Sequence, residues 1–272
     1  MTKLPTYFIS HGGGPWPWLK KEMPFYAELE KSLKAIPFEL PYKPKAILMI
    51  SGHWEASEFT VMATPKPPMI YDYGGFPEHT YKVRYEAPGS PEVAARVKTL
   101  IEAAGLTVRV DSERGFDHGT FTPLVEMYPD ADVPVLQLSL KSDYDPETHV
   151  KLGRALAPLR EEGVLIIGSG LSYHNLRLFG KNEAAKKASK EFDDYLQDAV
   201  VQSTPENRHR KLLNWASAPS ARISHPEEDH LLPLMVAVGA AENEKAELIY
   251  HEEDFMGAIT ASSFRFGSIE NV

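Results

Sequence analysis

Ten histidines and no cysteine mark where this 272-residue chain could do chemistry. His11 follows the apolar run Tyr7-Phe8-Ile9 through Ser10, and His53 follows Ala46 to Ile50 through Ser51-Gly52. His174 follows Val164 to Ile167 by way of Gly168-Ser169-Gly170. Three times a strand-like run leads through small residues to an imidazole. In open α/β sheets ligands bind beyond the carboxyl ends of the strands, so the pattern predicts imidazoles gathered along one sheet edge. Gly12-Gly13-Gly14 and Gly52 allow sharp turns and close approach of a ligand. They lack the spacing of a dinucleotide or P-loop cradle.

Three further histidines have informative surroundings. His118 sits in Arg114-Gly115-Phe116-Asp117-His118-Gly119, just before a short helical segment at Pro123 to Tyr128, and Asp117 is placed to hydrogen-bond an imidazole of the site. His225 and His230 frame the start of an apolar helix in His225-Pro226-Glu227-Glu228-Asp229-His230. On a helix, five residues place two side chains roughly 140° apart, so the pair would not share a metal if both were helical. His230 heads the apolar stretch and is the better ligand candidate, while His225 caps the helix or contacts substrate. His79, His149, His209 and His251 have polar neighbours and read as surface residues.

Neutral imidazoles without thiolates suit Zn²⁺ or Fe²⁺ and leave coordination positions open, which indicates catalysis rather than a structural metal. Imidazoles near such a metal can also move protons close to neutral pH. Neither the GxSxG elbow of serine hydrolases nor the HExxH helix of zincins is present.

The elements that must position these groups alternate along the chain. Strand candidates are Tyr7 to Ile9, Ala46 to Ile50, Phe59 to Ala63, Thr107 to Val110, Val133 to Leu138, Val164 to Ile167 and Glu247 to His251. The most apolar of them read as strands covered on both faces of a mainly parallel sheet. Ser90-Pro91 and Asp145-Pro146 open two helices that close near Gly105 and Gly163, a polar cap and proline at one end and glycine at the other. Glu183 to Gln202 is a third helix, and Pro226 to Ala241 a buried fourth. The stretch Thr64 to Pro68 reads as a surface loop, and Tyr71 to Pro77 as a lid or pocket wall. The expected fold is α/β, a single domain over residues 1–272 with a mainly parallel central sheet flanked by helices and a metal site at the carboxyl ends of the strands.

With 43% hydrophobic and 25% charged residues the composition is that of a globular protein. A formal net charge of -9 and no long basic run argue against nucleic acid as a partner. No apolar run approaches the ~20 residues that span a bilayer, no signal peptide precedes the first strand, and a cytoplasmic setting is expected.

Taken together, Phe8-Ile9-Ser10-His11-Gly12, Ile50-Ser51-Gly52-His53-Trp54, Tyr73-Gly74-Gly75-Phe76-Pro77, Arg114 to Gly119, Pro134 to Leu140, Gly168-Ser169-Gly170, His174-Asn175-Leu176 and His225-Pro226 with Asp229-His230 resemble the LigB-type class III extradiol ring-cleavage dioxygenases, in their 4,5-DOPA extradiol dioxygenase-like branch. The resemblance runs in order along nearly the whole chain. It implies a metal held by His11, His53 and His230, with His174 as catalytic acid/base close enough to complete the shell in a resting zinc form. His118 matches a second active-site histidine that assists substrate or O₂. A site with no ligand carboxylate keeps the full metal charge, which favours a catecholate. The implied reaction binds a catechol such as DOPA through both oxygens, admits O₂ and opens the ring beside the hydroxyls, with Fe²⁺ required for electron transfer. Tyr73 and His225 would contact substrate, and Trp16, Trp18, Trp54 and Phe76 could add to an aromatic wall. Two rivals stand beside this reading: a zinc-dependent hydrolase or lyase in the same pocket, and a non-catalytic binding protein on the same fold.

Overall fold

A computed structural model describes residues 2–179 and 182–269. Eight strands form one sheet: β1 (Thr6–Ser10), β2 (Ala46–Ala56), β3 (Phe59–Met62), β4 (Val108–Asp111), β5 (Val135–Lys141), β6 (Val164–Gly170), β7 (Ala246–Phe255) and β8 (Ile259–Phe266). Their spatial order is β4-β3-β5-β2-β6-β1-β8-β7. The centre, β5-β2-β6-β1, is parallel, as is the outer β3–β4 pair. The joins β3–β5, β1–β8 and β8–β7 are antiparallel. Every residue of β1 and β6 is buried. Side chains alternate between the faces of a strand, so unbroken burial means both faces are covered.

Eight α-helices accompany the sheet among the described residues: α1 (Ala27–Glu39), α2 (Pro91–Ala103), α3 (His118–Met127), α4 (Pro146–Leu156), α5 (Glu183–Gln197), α6 (Pro205–Leu213), α7 (Ala221–Ser224) and α8 (Leu232–Ala240). The two expected caps are formed. The Ser90 side chain accepts from the Val93 N–H, and the Asp145 carboxylate from the Thr148 N–H at 2.9 Å. Helix α5 continues through a π turn over Asp198–Gln202. All nine residues of α8 are buried, and it lies on β6, β1 and β2. No helix among the described residues is long and apolar enough to cross a membrane.

The expected α/β class with its mainly parallel centre is observed, and four local expectations need correction. Strand β2 does not end at Ile50 but runs on through His53, with a register shift against β5 between Ile50 and Glu55. Such bulges re-aim side chains beside functional sites. Helix α8 begins at Leu232, not Pro226, so His230 precedes it and the helical-spacing argument for His225 and His230 does not apply. Strand β8 has no counterpart among the expected strands. His149 is not a surface residue: it is wholly buried, its Nδ1–H donates to the Asp145 carbonyl at 2.8 Å and its Nε2 accepts from the Lys141 N–H at 3.1 Å. It therefore ties the start of α4 to the end of β5.

Candidate metal centre and its flanking histidines

His11 leaves β1 at the same edge at which β6 ends, its N–H donating to the Gly170 carbonyl at 3.1 Å. Gly12 then turns the chain with φ of +78°, a left-handed conformation that glycine adopts without a Cβ penalty. The buried Trp16 indole donates to the His11 carbonyl at 2.9 Å, so this tryptophan anchors the segment that carries His11. The segment carrying His230 crosses directly over β6, where the Leu171 N–H donates to the His230 carbonyl at 3.1 Å. A Cβ on Gly170 would lie 2.1 Å from that carbonyl oxygen, so only glycine admits the crossing. Gly52 serves the same approach from β2, facing the backbone of Asp229 and His230.

The result is three imidazoles meeting at a point. His53 Nε2 lies 3.1 Å from His11 Nε2 and 3.1 Å from His230 Nε2. The other nitrogen of each ring decides what these three atoms are. Ser169 Oγ donates to the Gly119 carbonyl, so toward His11 Nδ1, 3.0 Å away, it acts as acceptor and Nδ1 carries the proton. His230 Nδ1 lies 2.7 Å from Asp229 Oδ2, and His53 Nδ1 lies 3.4 Å from Asp72 Oδ2. A carboxylate only accepts, so the hydrogen bond at His230 puts its proton on Nδ1, and the Asp72 carboxylate facing His53 favours the same tautomer there. In these tautomers three Nε2 lone pairs face one another, an arrangement that calls for a cation. Donor set, spacing and the neighbours that orient each ring fit a divalent metal.

Protonation cannot supply that cation cheaply. Burial, then repulsion among the neighbouring imidazoles, holds His11 and His230 well below the ordinary imidazole value. His53 is lowered to about 4, by burial first and then by His118. Solvent reaches the cluster from one side, where the side chains of His53, His174, Asp72 and Asp229 are each about one-fifth exposed.

Two more histidines flank the three. His118 opens α3, and its ring centroid is 4.0 Å from that of His53 and 5.5 Å from that of His11. Its Nδ1 and its backbone N–H both donate to Asp72 Oδ1, at 2.9 and 3.0 Å. His174 lies face to face with His230, centroids 3.4 Å apart, and its Nδ1 is 3.8 Å from Asp229 Oδ1. His174 is also lowered to about 4, chiefly by burial. The ligand atoms of His11, His53 and His230 are mutually close; those of His174 group instead with Asp229 and His230.

Other expected site residues fall elsewhere. His225 does not reach the cleft: it is wholly buried against Phe192 and Trp215, and its Nε2 donates to the Ser172 carbonyl at 2.9 Å. It ends the short helix α7 and caps no following helix. Asp117 is turned away from the imidazoles, accepting from Ser51 Oγ, Gln137 Nε2 and the Arg114 guanidinium. That guanidinium covers the Trp54 ring, which is buried. The Tyr73 hydroxyl donates to the Thr80 carbonyl at 2.6 Å, so it is the ring, its centroid 5.8 Å from that of His118, that stands beside the site. Phe76, Phe121 and Trp18 continue this aromatic side. A cavity of about 590 Å³ is lined by Met69, Tyr71, Arg84 and Tyr85 among others, and by none of the histidines.

Asp72 was absent from the expected site and Asp229 appeared in it only as a neighbour of His230. Asp72 lies 46 residues from His118, a partnership made by the fold. For Asp229 a signal was available, an acid directly preceding the candidate ligand.

Comparison with known proteins adds a second line. Residues 5–267 match the family model described as the catalytic LigB subunit of aromatic ring-opening dioxygenase. The chain is 41% identical over 266 residues to a 4,5-DOPA dioxygenase extradiol of Beta vulgaris, covering 97% of this chain and 96% of that one. A protein of the same name from Escherichia coli K12 is 35% identical over 269 residues, covering 98% and 96% of the two chains. The fold superposes on a crystal structure of an uncharacterized protein from Escherichia coli K12 with a TM-score of 0.78 at 30% identity, covering 97% of this chain and all of the other.

Proposed function

This chain belongs to the family of catalytic LigB subunits of aromatic ring-opening dioxygenases, and on that premise we propose that its histidine cluster opens the ring of a catechol such as DOPA with O₂. It is a metal-dependent extradiol dioxygenase. The observation that carries the site assignment is the convergence of three Nε2 atoms, that of His53 lying 3.1 Å from each of the other two. In this reading His11, His53 and His230 hold the metal, and residues 1–272 act as one catalytic domain. Bound there, the metal supplies Lewis acidity toward the catechol oxygens and, as Fe²⁺, the electron transfer that O₂ requires; zinc would supply only the first.

The remaining work belongs to the protein. Extradiol cleavage adds both atoms of O₂ and leaves the hydrogen count of the substrate unchanged. Taking a proton from a catechol hydroxyl and delivering one as the ring opens keeps that balance, and the site has an imidazole on each side for this. His118 has its proton on Nδ1, toward Asp72, so its Nε2 is the acceptor able to take a hydroxyl proton. His174, outside the three-nitrogen set and partly open to solvent, takes up a proton as the cleft charges and delivers it as the ring opens, while His118 releases to solvent the one it took. The rings of Tyr73 and Phe76, backed by the buried Phe121, offer the catechol an aromatic wall. A cytoplasmic setting, suited to a chain with no cysteine, belongs to the same proposal.

The test is anaerobic reconstitution with Fe²⁺, followed by O₂ uptake and visible absorbance on adding DOPA and a panel of simple catechols. Matching O₂ uptake and a yellow ring-opened product, absent from the zinc-loaded protein and from His174→Ala, is the expected result. Turnover by the zinc form without O₂ would favour hydrolysis instead.

A further inference from the structure

The loop that carries Asp72 is built onto the segment that carries His118. The Phe116 N–H donates to the Pro68 carbonyl and the Ile70 N–H to the Phe116 carbonyl, both at 2.8 Å, with Met69 and Phe116 paired as in a parallel ladder. Gly115 makes this approach possible, because a Cβ there would stand 2.1 Å from the Pro68 oxygen. Further along, Tyr71 donates to the Val83 carbonyl and Tyr73 to that of Thr80, at 2.8 and 2.6 Å. The loop is thus pinned on both sides of Asp72, and the carboxylate reaches two histidines. Oδ1 takes both the backbone and the ring N–H of His118, and Oδ2 faces His53 Nδ1 at 3.4 Å.

We propose that Asp72 is a positioning residue for both halves of the site, fixing the proton of His118 on Nδ1 and orienting the proposed metal ligand His53 through the same carboxylate. The inference rests on the roles given above to His53 and His118. Two donors from His118 on one oxygen hold the ring against rotation and tautomer exchange, leaving Nε2 unprotonated toward the cluster. The second oxygen faces His53 Nδ1 at 3.4 Å, a looser approach than the 2.7 Å hydrogen bond that Asp229 accepts from His230. Acceptors behind metal-bound histidines typically change metal affinity or activity by about 10–100-fold when removed. Asp117, the carboxylate next to His118 in sequence, does not substitute, because Ser51, Gln137 and Arg114 occupy it.

The two arms can be separated by chemistry. In Asp72→Asn the amide oxygen must face His118, whose backbone N–H accepts no other orientation, so the NH₂ group is turned on the N–H of His53. Asp72→Ala removes both arms. Zinc affinity is measured by chelator competition on the reconstituted full-length protein, and kcat and KM for DOPA on the Fe²⁺-saturated protein. Both variants are expected to bind zinc about tenfold more weakly. Turnover is expected to fall about 100-fold in Asp72→Ala and less than about tenfold in Asp72→Asn, with KM little changed. Zinc affinity and kcat of Asp72→Ala both within about threefold of the parent would overturn the proposal, as would equal kcat in the two variants. If the parent opens no catechol while both variants still loosen zinc, ring cleavage fails and the hold of Asp72 on His53 stands.

Discussion

The imidazoles of His174 and His230 lie flat against each other, their centroids 3.4 Å apart and their planes 14° from parallel. A metal ligand presents its lone pair in the plane of its ring. His230 directs that lone pair at the nitrogens of His11 and His53, while His174, one layer above, stays outside the set. The stacking therefore separates the proposed metal ligand from the proposed proton carrier. His174→Ala should keep its metal content, measured by elemental analysis after dialysis, and lose about 10²–10⁴-fold in kcat. Loss of the metal together with turnover would make His174 a ligand.

His230 and His225 should fail in different ways. His230→Ala takes away one of three converging lone pairs, and zinc affinity by chelator competition should collapse while urea stability of the metal-free protein changes less. His225→Ala leaves the Ser172 carbonyl without its donor and a hole beside Phe192 and Trp215. That combination should cost roughly 2–4 kcal/mol in urea unfolding with metal binding intact. The reverse pattern would exchange the two roles.

The reason the histidines were readable and the carboxylates were not is geometric. His11, His53 and His174 each follow a run of apolar β-formers through small residues, and local sequence records that pattern directly. The Asp72–His118 pair depends on the Pro68–Phe116 ladder, which no local pattern encodes. Strand β8 was illegible for a related reason. Its sequence Ile-Thr-Ala-Ser-Ser-Phe-Arg-Phe is entirely buried, and its hydroxyls and backbone are satisfied by distant serines: Ser263 accepts from the Ser10 N–H, and Ser172 and Ser189 accept from the Ser262 and Thr260 N–H groups. The helix expected at Pro226 was misread because Pro226 resembles a first helical residue, whereas the chain stays irregular until His230 has crossed β6.

Acid should unfold the metal-free protein early. His225 is lowered to about 4 by burial, as are His53 and His174, while an unfolded imidazole titrates near 6.5. Between those values the unfolded chain binds more protons than the folded one, so stability is fully present above about pH 6.5 and falls as pH drops toward 4. A single wholly buried imidazole shifted by that much contributes on the order of 3 kcal/mol over the window. Urea unfolding at pH 7.5 and pH 5 should show the loss, reduced in His225→Gln. Equal stability at the two pH values would contradict neutral burial of these rings.

Gly170 supplies the sharpest steric test, because it joins the sheet to the proposed ligand set. An alanine Cβ would sit 2.1 Å from the His230 carbonyl oxygen, and the obstacle is backbone, which cannot rotate away. The His230 segment would have to lift off β6, breaking the Leu171-to-His230 hydrogen bond and drawing the imidazole from its two partners. Gly170→Ala should therefore cost at least the ~1–3 kcal/mol of ordinary overpacking and weaken zinc binding at the same time. Gly74→Ala is the control, since no atom lies within 4 Å of the added Cβ. It should stay within about 0.5 kcal/mol of the parent and bind zinc equally well. If Gly170→Ala loses stability but binds zinc like the parent, the position of His230 does not depend on its crossing of β6, and sheet and metal centre are not coupled through Gly170.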